Sequence, residues 1–197
     1  MKLATFQASD GETRAGVIEG DRVRALPRGT TVLSVLAGQP ASTSGGDGEQ
    51  SWPLDEVALL SPLPDPGTVY AIGLNYAKHI EETGGQRPEH PIVFVKVRGS
   101  VTGPGGPIVC PEVVRRLDYE GELTIVMGAA GRIAGYCIAD DVTARDLQGR
   151  EPQWTRAKGA DTFCPLGPWI TTADEVPDPE ALRLRTWVND ELRQDSS

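Results

Sequence analysis

The stretch from Asp118 to Gln148 constrains the fold of this chain most, and it reads DYEGELTIVMGAAGRIAGYCIADDVTARDLQ. The β-formers at 123–126 predict a strand on which Glu120 and Glu122, two residues apart, face the same way. Two carboxylates at that spacing repel, and they raise each other's pKa unless a cation lies between them. The alternative is that this Glu-x-Glu pattern is the solvated face of an antiparallel strand.

A second predicted strand, 136–139, brings two further carboxylates, Asp140 and Asp141, to its end. A third carboxylate beside the glutamates would complete an all-oxygen site, which suits Mg²⁺, Mn²⁺ or Ca²⁺ better than zinc. The two predicted strands are joined by the short segment 128–134, whereas a parallel crossover needs about a dozen residues or more. We therefore expect them to form a direct hairpin.

The charge of the chain bears on its partners. A formal net charge of −9 argues against binding to a phosphate backbone, for which a basic face is expected. Nucleic acid is therefore not an expected partner. An acidic substrate is still compatible with this charge, because local cations and a bound dication set the field inside a cleft.

The cysteines and the apolar residues bear on the compartment. Cys110, Cys137 and Cys164 are odd in number and form no C-x-x-C pair, so we expect reduced, mostly structural thiols. No apolar run resembles a signal peptide or a membrane span, which favours a cytoplasmic protein without a membrane partner. The 23 glycines and 16 prolines favour a turn-rich β architecture over a helical bundle.

The N-terminal part is predicted to be a small β-rich domain, 1–62, ahead of a larger domain, 63–197. Thr30 or Thr31 can cap a short helix that ends at Gly38. The polar segment 42–51 lacks apolar periodicity and is predicted to be a flexible loop. The segments of β-formers that turn signals separate are 2–7, 13–18 and 22–26.

Beyond the boundary, Asn75 is predicted to cap a helix that ends before Gly84. His79 and Glu82 are three residues apart and so share one helical face, where the carboxylate can orient the imidazole and stabilise its protonated form. The alternative is an ordinary surface pair.

A predicted strand, 92–97, places Lys96 on the same face as Ile92 and Phe94. An interior lysine and a lysine that reaches solvent from the end of a strand are both consistent with this pattern.

Several motifs occur together and in one order. The run 141–148, with DYEGEL upstream and Lys158, Asp161 and CPLGPW downstream, resembles the fumarylacetoacetate hydrolase family. The matching pieces extend from Gly73 to about Trp169. The N-terminal part resembles the small accessory domain of many family members. The resemblance implies an α+β, mainly β fold, in which the catalytic domain is a distorted β-roll.

The resemblance also implies roles for individual residues. The expected metal ligands are Glu120, Glu122 and Asp141, with Mg²⁺, Mn²⁺ or Ca²⁺ as the ion. The expected catalytic residues are Lys158 and a water-activating dyad of His79 and Glu82. The expected substrate-binding residues are Arg145, Gln148 and, as a supporting charge, Lys96. For Arg145 the alternative is a surface ion pair with Asp146.

The chemistry implied by the family is metal-dependent cleavage of a carbon–carbon bond in a 2-oxo or 1,3-dicarbonyl acid, of the acylpyruvate or fumarylacetoacetate type. The alternatives are decarboxylation or isomerisation of a related oxo-dioate, and an inactive homologue. The resemblance further implies a homodimer with a small-molecule oxo acid as its substrate.

The sequence departs from the family pattern at several points. The 128–134 connection is short, Asp140 stands where asparagine is usual, and Asp190 replaces the glycine of an Asn-Gly turn. The chain ends at Ser197, ahead of the usual Thr-Gly-Thr-Pro stretch, so we expect a fragment whose β-roll has unpaired edges.

Overall fold

The computed structural model describes residues 1–41, 50–82, 84 and 86–196, without the side chains of Lys78, His79 and Glu82. It is mainly β with short helices, which confirms the predicted fold class. The strands are β1 Lys2–Gln7, β2 Thr13–Glu19, β3 Arg22–Ala25, β4 Ser51–Pro53, β5 Ala58–Leu60, β6 Val69–Gly73, β7 Ile92–Lys96, β8 Val101–Thr102, β9 Leu117–Asp118, β10 Gly121–Met127, β11 Ile133–Asp140, β12 Thr143–Ala144, β13 Cys164–Thr172, β14 Leu184–Val188 and β15 Glu191–Ser196. The α-helices are α1 Val32–Leu36, α2 Ala77–Glu82, α3 Arg145–Gln148 and α4 Thr155–Lys158.

One large sheet organises the described residues. Its strand order is β10-β11-β13-β1-β2-β3-β4, with β5 added to β1 and β8 added to β13. The sheet crosses the predicted domain boundary, because β1 pairs antiparallel with β13 through Leu3 opposite Ile170. Separate two-stranded ladders join β6 to β7, β9 to β12 and β14 to β15.

The three predicted N-terminal strands are present, and they pair as an antiparallel meander. Thr31 caps α1: its side chain accepts a hydrogen bond from the Ser34 N–H. Of the predicted loop 42–51, residues 42–49 lie outside the described residues. Ser51 is not in a loop, because it starts β4 and pairs with Arg24.

The predicted hairpin is present, with β10 antiparallel to β11 and Gly121 opposite Asp140. The pairing shifts register at Val126 and Met127, next to the short connection. Apolar side chains of the hairpin and of the neighbouring β13, including Val126, Cys137 and Ile170, are buried in one core cluster. The hairpin is therefore anchored at one end by packing, and its other end carries Glu120, Asp140 and Asp141.

The cysteines fit the expectation of free thiols. Cys137 and Cys164 are buried and Cys110 is exposed, and all three are unpaired with one another. Burial raises the pKa of Cys137 to about 12 and that of Cys164 to about 11, which keeps both as thiols at neutral pH. Within the described residues, no helix combines the length and apolar character needed to cross a membrane.

Gly135 lies at a close approach between β11 and β13. A Cβ built there would overlap the Thr171 carbonyl oxygen and the Ile170 side chain. Backbone and a buried side chain cannot move aside easily, so a larger residue forces the two strands apart.

We predict that Gly135→Ala lowers the free energy of unfolding by roughly 1–3 kcal/mol, because it overpacks this strand interface. Urea denaturation followed by circular dichroism measures the loss. Gly67→Ala is the control, since no atom lies within 4 Å of its added Cβ. Equal stability of the two variants would contradict the packing account.

Candidate active site

A cavity of about 460 Å³ opens where the charged end of the β10–β11 hairpin meets three other parts of the chain. These are the β6–β7 ladder, the helices α3 and α4, and the β14–β15 hairpin. The lining residues are Ile72, Gly73, Leu74, Asn75, Tyr76, Ile92, Phe94, Glu120, Glu122, Asp141, Arg145, Gln148, Gly149, Trp154, Lys158, Leu184, Arg193, Gln194, Asp195 and Ser196.

Asp141 is the most enclosed acid of the site. Its Oδ1 accepts from Lys96 Nζ at 2.5 Å, and its Oδ2 accepts from Lys158 Nζ at 2.8 Å. Each of the two lysines is only 2% exposed. Burial lowers the pKa of Lys96, and the Asp141 carboxylate opposes that shift. The three side chains therefore form a buried ion network in which each charge has a partner.

Glu120 extends this network towards solvent. Its carboxylate lies 2.6 Å from Lys158 Nζ and 2.6 Å from Arg145 Nη2. Arg145 also contacts Asp118 at 2.8 Å and donates to Gln148 Oε1 at 3.0 Å. The guanidinium thus fixes one edge of the cavity.

Glu122 differs because Asn75 and Tyr76, with which it forms hydrogen bonds, are neutral. Its Oε2 accepts from Asn75 Nδ2 at 3.2 Å, and its carboxylate is hydrogen-bonded to the Tyr76 hydroxyl. Burial raises the pKa of Glu122 to about 7, and the nearby carboxylates of Glu120 and Asp141 add to the effect. A cation beside Glu122 would favour its ionised form.

An apolar wall faces the charged groups. Phe94 packs edge-on against Trp154 with ring centroids 5.5 Å apart, and Lys158 Nζ lies 4.9 Å from the Phe94 centroid. Gly73 allows this arrangement, because an added Cβ there would lie 2.5 Å from the Trp154 ring. The wall keeps one side of the cavity apolar next to the ammonium group.

The structure brings most of the predicted site residues together. The three predicted metal ligands line the cavity: Glu120, Glu122 and Asp141. Three of the predicted catalytic and substrate-binding residues line it as well: Arg145, Gln148 and Lys158. Lys96 lies behind Asp141 rather than in the cavity wall, and it also donates to the Val142 carbonyl. The side chains of His79 and Glu82 lie outside the described residues, so the dyad stays a prediction.

Two sequence expectations need correction. Arg145 contacts Asp118 and Glu120, and the Asp146 carboxylate accepts from the backbone N–H groups of Arg115 and Arg116 instead. The surface pair of Arg145 with Asp146 was therefore the wrong alternative, because α3 turns the two side chains apart.

The helix α2 also begins later than predicted. It starts at Ala77, and the carbonyl of Tyr76 accepts its first hydrogen bond. Asn75 was predicted to be the cap, but its amide points to Glu122.

Asp140, which stands where the family usually has asparagine, is turned away from the cavity. Its Oδ1 accepts from the Glu120 N–H at 2.9 Å, and it is not among the lining residues. Burial raises its pKa, and the hydrogen bond from Glu120 opposes that shift. Asp140 thus helps to hold the backbone beside the first glutamate.

The donor set has the chemistry that a hard dication prefers, since all of its groups are carboxylates. Glu120, Glu122 and Asp141 line one cavity, and a carboxylate offers about four lone-pair sites, so one oxygen can accept a hydrogen bond and bind a metal ion. Among the described side chains, no three acidic, histidine or cysteine groups stand close enough to form a ready metal cluster. The ammonium group of Lys158 lies between the carboxylates of Glu120 and Asp141 and contacts both. The metal-ligand roles remain a prediction.

Sequence reasoning did not identify several residues of the cavity. Asn75 and Tyr76 stand directly before the predicted dyad helix, and their polar side chains next to that motif were an available signal. Trp154, Arg193 and Gln194 come from segments without a local motif. Their place in the site depends on tertiary packing, which spacing along the chain does not reveal.

The fold and the site define a mainly β protein with a carboxylate- and lysine-lined cavity. The family model "Fumarylacetoacetate (FAA) hydrolase C-terminal" matches residues 68–197, and the model "Rv2993c-like, N-terminal" matches residues 1–62. The chain belongs to the fumarylacetoacetate hydrolase family.

Two related proteins match nearly the whole chain. Protein Rv2993c of Mycobacterium tuberculosis is 44% identical over 98% of this chain and 75% of its own length. A Bacillus subtilis protein, oxaloacetate tautomerase YisK, is 38% identical over 100% of this chain and 68% of its own length. The chain also spans 60% of a relative from Archaeoglobus fulgidus.

Solved structures agree with the family. Fumarylacetoacetate hydrolase from Exiguobacterium antarcticum superposes with a TM-score of 0.85 at 36% identity, over 100% of this chain and 75% of that chain. Maleylpyruvate hydrolase from Sphingobium sp. SYK-6, solved with manganese(II) and pyruvate, has a TM-score of 0.78 at 31% identity. The match covers 100% of this chain and 76% of that chain. Relatives of this fold thus carry different activities.

We predict that Lys96→Met lowers the free energy of unfolding by about 3–5 kcal/mol, because it removes one partner of a buried ion network. Thermal and urea denaturation measure the change. Arg98→Met is the matched control: its ion pair with Asp65 is exposed, and exposed pairs contribute less than about 1 kcal/mol. Similar losses in both variants would show that the Lys96 charge does not stabilise the site.

Proposed function

We propose that this protein is an enzyme that binds a 2-oxo or 1,3-dicarbonyl acid and stabilises its enolate. Keto–enol tautomerisation of an oxaloacetate-like dioate is the reaction that we favour. The observation that carries the proposal is the single cavity in which three carboxylates stand among cationic side chains. The similarity to a protein named oxaloacetate tautomerase supports the choice of reaction.

The charges of the site support an anionic substrate. Glu120, Glu122 and Asp141 bring three negative charges when ionised, and Lys96, Lys158 and Arg145 bring three positive charges that contact this group. These six side chains balance, and Asp118, which also pairs with Arg145, adds one negative charge. A bound dication would bring the net charge of these seven side chains to +1, which attracts a carboxylate substrate.

A hard dication held by Glu120, Glu122 and Asp141 would supply Lewis-acid polarisation of the substrate oxygens. Lys158 lines the cavity, and its three N–H donors bond Glu120, Asp141 and Thr143. A metal ion held by the two carboxylates would free this ammonium group to stabilise negative charge on the enolate oxygen. Arg145 and Gln148 are held to each other at 3.0 Å and can orient a substrate carboxylate. Phe94 and Trp154 form an apolar wall beside these groups.

Hydrolysis of a carbon–carbon bond is the second candidate. It needs a base that activates water, and α2 carries His79 and Glu82 directly after Asn75 and Tyr76, both of which line the cavity. Solved relatives named as hydrolases also favour it. Both reactions use the same enolate stabilisation, so one site serves either.

The ligand set is tested by calorimetric titration with Mg²⁺ and Mn²⁺. We predict that Glu122→Ala weakens binding by more than the roughly 10–100-fold that outer-shell changes cost. Asp140→Asn is the control, because it keeps an oxygen for the Glu120 N–H and lies outside the cavity wall. Unchanged affinity in Glu120→Ala, Glu122→Ala and Asp141→Ala would show that the ion binds elsewhere or not at all.

The dyad separates the two candidate reactions. If water attack is the chemical step, His79→Ala and Glu82→Gln should each lower kcat for acylpyruvate hydrolysis by roughly 10²–10⁴-fold, since they remove a general base. Oxaloacetate tautomerisation needs no attacking water but does need a group that takes the C3 proton. Its kcat should therefore fall less if a group other than the dyad takes that proton, and an equally large loss would assign the proton transfer to the dyad. Small and equal losses on both substrates would mean that α2 is only structural.

We also propose a homodimer. Ile125, Met127 and Ile138 on the β10–β11 hairpin are each about half exposed, and β10 is an edge strand among the described residues. Apolar edge strands favour pairing with another chain. Light scattering at micromolar concentration should give twice the mass of the chain, and a monodisperse monomer would contradict the proposal.

A further inference from the structure

The outer edge of β10 carries two backbone N–H groups whose partners are side chains. The Gly121 N–H donates to Gln194 Oε1 at 2.8 Å, and the Leu123 N–H donates to the Tyr76 hydroxyl at 3.2 Å. An edge strand ordinarily presents such groups to solvent or to another chain. Here they are bonded on both sides of Glu122, so the backbone that carries this carboxylate is held from its open edge.

Gln194 holds Gly121 in the manner of a neighbouring strand. Its Oε1 accepts from the Gly121 N–H, and its Nε2 lies 3.5 Å from the Gly121 carbonyl oxygen. Thr186, its cross-strand partner in the β14–β15 hairpin, donates its hydroxyl to the same Oε1 at 2.7 Å. The reverse orientation of the amide would set its NH₂ group against the Gly121 N–H, so that N–H selects the orientation in which Oε1 accepts. The hydrogen bond from the Thr186 hydroxyl to the same Oε1 then holds the amide in this orientation.

The fit at Gly121 leaves no room for a side chain. A Cβ built there would lie 2.5 Å from Thr186 Oγ1 and 3.2 Å from Gln194 Oε1. The glycine between Glu120 and Glu122 thus allows the hairpin to reach the backbone. Without a contact of this kind, the two carboxylates would sit on a strand end that is held from one side only.

We infer that Gln194, oriented by Thr186, is a positioning residue that fixes the separation of Glu120 and Glu122. This inference rests on the proposed function, since it concerns the carboxylates that would hold the metal ion. The hydrogen bonds from Gln194 act on Glu120 and Glu122 through the backbone of Gly121, which lies between them. This role does not require Gln194 to contact the substrate. Changes of such supporting contacts typically weaken metal binding roughly 10–100-fold.

The test uses NMR on the metal-free protein. In Gln194→Ala and Thr186→Val, the Gly121 amide should exchange about two- to tenfold faster, because a hydrogen bond is lost or misaligned. The carboxyl-carbon signals of Glu120 and Glu122 should shift or broaden in both variants. Thr186→Ser keeps the hydroxyl and should restore both readouts. If Gln194→Ala does not fold, Thr186→Val, which removes a single hydroxyl, provides both NMR readouts by itself.

Leu192→Thr is the matched control in the same hairpin. Leu192 is 47% exposed, and it pairs with Trp187 away from Gly121, so its loss should lower stability without moving the glutamate signals. A second readout is Mn²⁺ affinity, which should fall about tenfold in Gln194→Ala and stay at the parent value in Leu192→Thr.

The outcomes separate this inference from the proposed function. Faster Gly121 exchange with unchanged glutamate signals would overturn the inference, because the bonds would then only dock the hairpin. Unchanged exchange would overturn it as well. If the parent protein binds no Mn²⁺, the proposed metal site fails, and the glutamate signals of the metal-free variants still decide the role of Gln194.

Discussion

The contact of two lysine ammonium groups with the buried Asp141 carboxylate is the interaction on which the site depends. Burial of charge is costly unless each ion is paired and hydrogen-bonded, and this network meets that condition with Lys96 behind Asp141 and Lys158 in front of it. Lys158 then reaches Glu120, which joins Arg145 and the cavity edge. The same contacts that stabilise the buried charges therefore place the cationic groups of the site.

The geometry of β10 adds a second constraint. As an edge strand it carries Glu122, with Glu120 directly before it, where a cavity can form, but such an edge is held by β11 on one side only. Side chains from two distant segments, Tyr76 and Gln194, bond its outer N–H groups. The cavity is thus assembled from parts of the chain that are far apart in sequence, and its walls also fix the strand that bears its acids.

Much of the site was predictable from local patterns. The Glu-x-Glu strand, the hairpin to Asp141 and the inward face of Lys96 follow from two-residue periodicity and from the length of the 128–134 connection. The sequence does not decide whether Lys96 is buried, because two-residue periodicity shows which residues share a face of the strand but not what packs against that face. The structure supplies Asp141 as the partner that makes an interior lysine stable.

Other features could not be predicted. Nothing near Gln194 or Trp154 in sequence indicates that they approach Gly121 and Gly73, because those contacts join segments that only the fold brings together. The Arg145–Asp146 pair, which was the alternative to a cavity role for Arg145, is absent although the two residues are neighbours in sequence. The short helix α3 directs the two side chains away from each other, and Arg145 forms ion pairs with Asp118 and Glu120 instead.

Formation of an enolate is the step shared by tautomerisation and carbon–carbon hydrolysis, and it has a direct signature in exchange of the C3 hydrogens of a 2-oxo acid with solvent deuterium. NMR can follow this exchange in oxaloacetate with Mg²⁺, with and without the protein. The account predicts that the protein accelerates exchange well beyond Mg²⁺ alone and that Lys158→Met loses most of that acceleration. Exchange at the rate of Mg²⁺ in buffer, in the presence of folded parent protein with bound metal, would contradict it.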